Sequence, residues 1–81
     1  MKGVVLVDDI IEIVRTVLET EKNLETDIDL FDEFGMDSLQ VVDLIVALEE
    51  KFGIEFQEED FLLKNFRTIE TIIYLVNEKL Q

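Results

Sequence analysis

Apolar residues recur along this chain at helical intervals, and no segment alternates apolar with polar in the manner of a half-buried strand. Ile10, Val14, Val17 and Leu18 share one face, with Glu12, Arg15 and Glu19 opposite. They predict a first helix from a cap at Asp8 to about Thr20. Residues 21–36 show no helical or strand period. Sixteen residues without a regular element is long for a compact domain. Leu24, Ile28, Leu30, Phe31 and Phe34 are placed to pin this loop to the core while its acids face water.

The second helix starts sharply. Asp37 followed three residues later by Gln40 is a capping-box pattern, which makes Ser38 the first helical residue. The helix runs to about Phe52, where Gly53 is a natural stop. It carries two apolar stripes. Val41, Leu44, Ile45, Leu48 and Phe52 form one, and Leu39, Val42 and Val46 form the other, with Asp37, Asp43, Glu49 and Glu50 around it. One core needs only one stripe, so the second reads as a contact surface for partners. A short helical turn follows over Glu58 to Lys64, with Phe61, Leu62 and Phe66 expected to pack inward. Thr68 caps a last helix that turns Ile69, Ile72, Ile73, Val76 and Leu80 inward, and Lys79 near its end suits the helix dipole. The expectation is all-α: a small bundle of three main helices plus one short helix, with a long first loop, in a single domain over 1–81 and a core over about 8–80.

Composition limits what such a bundle can do. At 81 residues there is room for one core. A chain of this size hides roughly 60% of its unfolded surface. Cysteine and histidine are both absent, which removes disulfides, the usual zinc ligands and any Ser–His or Cys–His nucleophile. The apolar run Val4–Val7 is too short for a leader or a membrane span, so a soluble cytoplasmic monomer is expected.

Charge adds a direction. The net charge is −13, and residues 19–60 hold 15 acids against 2 bases, leaving the flanks close to neutral. A field of this kind repels nucleic acid and anionic membrane and attracts basic protein surfaces.

The chain has one serine, Ser38, at the predicted helix start. Unpaired N–H groups and a partial positive charge lie there, so a phosphate ester on its hydroxyl would be well placed. The stretch Gly35-Met36-Asp37-Ser38-Leu39 resembles the phosphopantetheine attachment motif of acyl carrier proteins. The run Val42–Ile54 resembles that family's second helix and its exit, and Asp29–Gly35 its approach loop, so the likeness covers essentially residues 8–80.

The resemblance implies that a phosphopantetheinyl transferase attaches 4′-phosphopantetheine from coenzyme A to Ser38, flanked by Asp37. It also implies a non-catalytic protein, whose arm supplies the thiol that the chain lacks and carries acyl groups for fatty acid or polyketide synthesis. Leu39, Val42, Asp43, Val46, Glu49 and Glu50 would meet basic surfaces of acyl-loading and acyl-processing enzymes. Ile45 and Leu48 would help line an acyl cavity. A D-alanyl or other aminoacyl carrier shares the architecture.

Three features depart from the common family pattern; they leave the attachment role intact and the pathway open, a specialised carrier included. Phe56 stands where proline is frequent, Gln40 where an acid is common, and five of six phenylalanines cluster in the loop and third-helix regions. Asp37, where peptidyl carriers have histidine, argues against that subgroup.

Other readings fare worse. Asp27, Asp29, Asp32 and Glu33 suggest calcium, but an EF-hand loop would put Phe31 at its fifth position, Asp32 at its glycine position and Ser38 at its twelfth. Catalysis lacks both a nucleophile–base pair and a phosphate loop. An unmodified helical adaptor, docking through the second helix, is the alternative outside the carrier class.

Overall fold

Helix α1 (Val7–Leu18) opens the described part of the chain, which in this computed structural model runs over residues 7–81. The amino-terminal run read as too short for a leader lies, apart from Val7, outside the described residues. Asp8 is not the cap. It sits with Asp9 inside the first turn, where carboxylates complement the positive helix end. The helix also stops before Thr20, because Glu19 takes left-handed backbone with φ 55° and turns the chain away. Ile10 and Val14 are fully buried, while Val17 and Leu18 pack at the edge of the core.

The loop over 21–36 contains a helix that the periodicity does not reveal. Helix α2 (Leu30–Phe34) is five residues long, capped by Asp29, whose Oδ1 accepts the N–H groups of Phe31 and Asp32, each at 3.0 Å. Gly35 closes it at φ 63°, a conformation that favours glycine, and its N–H donates to the Phe31 carbonyl at 2.9 Å. Leu24 and Leu30 are buried, and Ile28, Phe31 and Phe34 half-buried, so the loop is pinned as expected. Arg67 fastens it from outside. Its carbonyl accepts the Leu30 N–H at 2.7 Å, its guanidinium pairs with Asp29 at 2.8 Å, and that group lies 5.2 Å over the Phe31 ring.

Helix α3 (Ser38–Phe52) begins and ends where the sequence places it. Asp37 accepts the Gln40 N–H at 2.9 Å and Gln40 Oε1 accepts the Asp37 N–H at 3.1 Å. Gly53, at φ 64°, ends it. Val41, Leu44 and Leu48 face the core.

The segment after Gly53 corrects the expected Glu58–Lys64 turn. Two 3-10 turns, Glu58–Asp60 and Leu63–Phe66, are separated by Phe61 and Leu62. Phe66 is fully buried and meets Phe56 edge to face, with ring centroids 5.9 Å apart. Phe61 and Leu62 do not pack inward; they are 51% and 48% exposed. Extended backbone at Leu62 (φ −106°, ψ 135°) breaks the helical period, so spacing along this strap does not select one face.

Helix α4 (Ile69–Leu80) follows the cap at Thr68, whose Oγ1 accepts the Thr71 N–H at 3.1 Å. Ile69, Ile72 and Val76 are buried, joined by Leu75, with Ile73 and Leu80 at the margin. Helix α1 packs on both α3 and α4, and the second 3-10 turn packs on α4. The described residues are all-α, with three main helices and one short one, but the short helix is α2, before α3.

Candidate functional site

Ser38 is exposed at the first position of α3. Its placement follows from the residues before it: Gly35 ends α2 in a left-handed turn, Met36 drops into the core, and Asp37 caps the next helix. Because the Asp37 carboxylate does the capping, a substituent on the Ser38 hydroxyl removes no side-chain cap from the helix.

One turn along α3 from Ser38 the surface is apolar. Ser38, Val41, Val42 and Ile45 form one bank of an open groove of about 360 Å³, and Phe61 and Leu63 from the strap form the other. The groove explains why Phe61 and Leu63 stand exposed instead of joining the core. Ile45, expected from the sequence to help line an acyl cavity, borders this open groove, and Phe61 and Leu63 on its other side were not among the expected site residues. Three adjacent apolar residues, Phe61-Leu62-Leu63, cannot all face inward from one helical turn, and that was the available signal. Leu48, expected beside Ile45, is fully buried in the core and takes no part in the groove.

The second stripe of α3 stands clear of the core. Leu39 is 75% exposed, and Val42 and Val46 are about half-exposed. Asp43 and Glu50 are exposed beside them. Glu49 differs. Its Oε2 accepts the Phe56 N–H at 3.0 Å, so part of this carboxylate holds the turn after α3.

Two other carboxylates are engaged. The N–H of Asp32 and the Arg67 guanidinium hold Asp29 below the usual carboxylate range. Asp60 is 8% exposed; burial pushes its pKa up, but Lys79 and the Gln57 N–H outweigh burial and leave it lowered. Among the described residues no three carboxylates converge in a geometry that could hold a metal ion, and no helix is long and apolar enough to cross a membrane.

Ser38 thus stands exposed at a helix start beside an apolar groove. Residues 8–76 match the family model described as a phosphopantetheine attachment site. The chain is 38% identical over 72 residues to the acyl carrier protein of Syntrophobacter fumaroxidans, covering 86% of each chain. It is 35% identical over 68 residues to that of Petrotoga mobilis, covering 84% of this chain and 78% of the relative. With the acyl carrier protein homolog of Mycoplasmopsis pulmonis the identity is 36% over 67 residues, covering 83% and 89%. The match spans α1 to α4, the whole framework that presents Ser38, and the chain therefore belongs to the acyl carrier family, whose prosthetic group is 4′-phosphopantetheine.

Proposed function

We propose that this protein carries acyl groups as thioesters on a 4′-phosphopantetheine arm esterified to the Ser38 hydroxyl, and presents them to enzymes of fatty acid or polyketide-type synthesis. The observation that carries the reading is Ser38 itself, the chain's one serine, exposed at the start of α3 and bordering an apolar groove. When bound, the arm supplies the thiol that a cysteine-free chain lacks. The protein's residues bind and present; catalysis belongs to the partners.

The groove lining favours apolar acyl cargo over an aminoacyl group, whose ammonium would meet Val41, Val42, Ile45, Phe61 and Leu63 without a charge partner. Leu39, Val42 and Val46 form the docking ridge, and Asp37, Asp43 and Glu50 draw in basic surfaces of the transferase and of acyl-processing enzymes. A cytoplasmic location, where coenzyme A and the transferase would be at hand, goes with this reading.

Intact-protein mass after incubation with coenzyme A, magnesium and a broad-specificity phosphopantetheinyl transferase tests the assignment. One phosphopantetheine-sized gain is expected in the wild type and none in Ser38→Ala. No gain in a folded, initially unmodified protein would turn the assignment toward an unmodified adaptor.

A further inference from the structure

We propose that Asp60 and Lys79 form a latch that fixes the outer bank of the groove, making them positioning residues for cargo held next to Ser38. The strap from Gln57 to Phe66 is organised around Asp60. Its carboxylate accepts the Gln57 N–H at 2.7 Å, and its carbonyl accepts from the Leu62 N–H at 2.8 Å and from Asn65 Nδ2 at 2.9 Å. Phe61 and Leu63 project from this framework into the groove. The same carboxylate is paired with Lys79 in the last turn of α4, and both side chains are largely withdrawn from water, at 11% and 22% exposure. The strap is thereby tied at its outward bend to the C-terminal end of α4, the helix that follows it.

Stability alone does not call for this arrangement. A buried ion pair is often no more stabilising than a well-packed apolar pair of similar size, whereas a lost partner leaves an uncompensated charge. What an ion pair adds over an apolar contact is direction. Phe66, buried against Phe56, anchors the strap's far end, but the stretch between Gln57 and Leu63 has no buried apolar side chain of its own. Asp60 is the one buried residue there, and it is polar. The bank that Phe61 and Leu63 form therefore rests on an electrostatic tie.

The functional half of this inference rests on the carrier reading; the structural half does not. Two measurements separate them. On the unloaded protein, amide hydrogen exchange by NMR in Lys79→Met is expected to speed up at Asp60, Phe61, Leu62 and Asn65 while α1 and α3 keep their protection. Lys79→Arg should restore the wild-type pattern. The double variant Asp60→Asn/Lys79→Met, which removes the unpaired charge, should stay loose; recovery of protection there would show a charge penalty and overturn the latch.

On protein loaded from octanoyl- or acetyl-coenzyme A by the transferase, hydroxylamine cleavage is expected to be slower for octanoyl than for acetyl in the wild type. That difference should vanish in Lys79→Met and return in Lys79→Arg. A merely structural role would slow or speed both thioesters alike, and an unchanged octanoyl-to-acetyl ratio in Lys79→Met overturns the positioning role. Absence of any mass gain would overturn the carrier reading, and the exchange data would still decide the latch.

Discussion

The carboxylate of Glu49 accepts the backbone N–H of Phe56 at 3.0 Å, reaching past the end of its own helix to a residue seven positions on. A proline at 56 would have no N–H to give, so the contact depends on the residue type at this position. Glu49→Ala is expected to lower stability by about 1–2 kcal/mol, as loss of a hydrogen bond to a charged group does. Glu50→Ala, on the exposed side, should stay within ~0.5 kcal/mol. Urea denaturation of the two variants makes the comparison, and equal losses would contradict it.

Asp37 and Ser38 are neighbours with separable tasks. Ser38→Ala should leave the denaturation midpoint near that of the wild type, because the hydroxyl caps nothing. Asp37→Ala should cost about 1 kcal/mol through loss of the capping box. Circular dichroism melts read the stability, and mass gain with the transferase reads the loading.

Gly35 adopts φ 63°, and a methyl group added there would meet nothing within 4 Å. Any penalty of Gly35→Ala is therefore backbone strain alone, about 1 kcal/mol. Gly35→Asn should recover part of it, since asparagine tolerates this conformation better. Equal midpoints for the alanine variant and the wild type would show that the turn before Ser38 has another conformation open to it.

Asp29 and Asp60 both have folded-state pKa values below the ordinary carboxylate value of 3.8. Their ionised forms thus stabilise the fold fully above the unfolded-state value, and that contribution is lost as pH falls through the lower folded-state value. The wild type should lead Asp60→Asn by a constant margin above ~pH 5 and lose that lead in the acid limb below the ordinary value. Denaturant midpoints across this range test it; a margin that widens on acidification would refute the assignment.

Salt should act in two opposite ways. A net charge of −13 repels itself within a small fold, so added salt is expected to raise the melting temperature. The same screening should slow loading by a basic transferase surface, mainly through kcat/KM. A loading rate that does not respond to ionic strength would remove charge steering from the account.

Legibility in the sequence followed the length and regularity of each element. The start and stop of α3 and the start of α4 were readable because side-chain caps and a terminal glycine mark them, and those signals are local. Helix α2 was not, since five residues complete little more than one turn and show no period. Phe61 and Leu62 were misplaced because helical spacing was applied to a strap of 3-10 turns. The same error hid Phe61 and Leu63 from the candidate site, which depends on how the strap faces α3. Ser38 needed no tertiary information, as its cap and its isolation are both written in the chain.

The two banks of the groove also have a common mooring. Arg67 follows directly on the strap that carries Phe61 and Leu63, and it grips Asp29 and Leu30 at the head of the segment leading to Ser38. Mechanically the serine and the opposite wall hang from one bracket. A displacement of the strap would therefore be felt, through Arg67, in the segment that leads to Ser38.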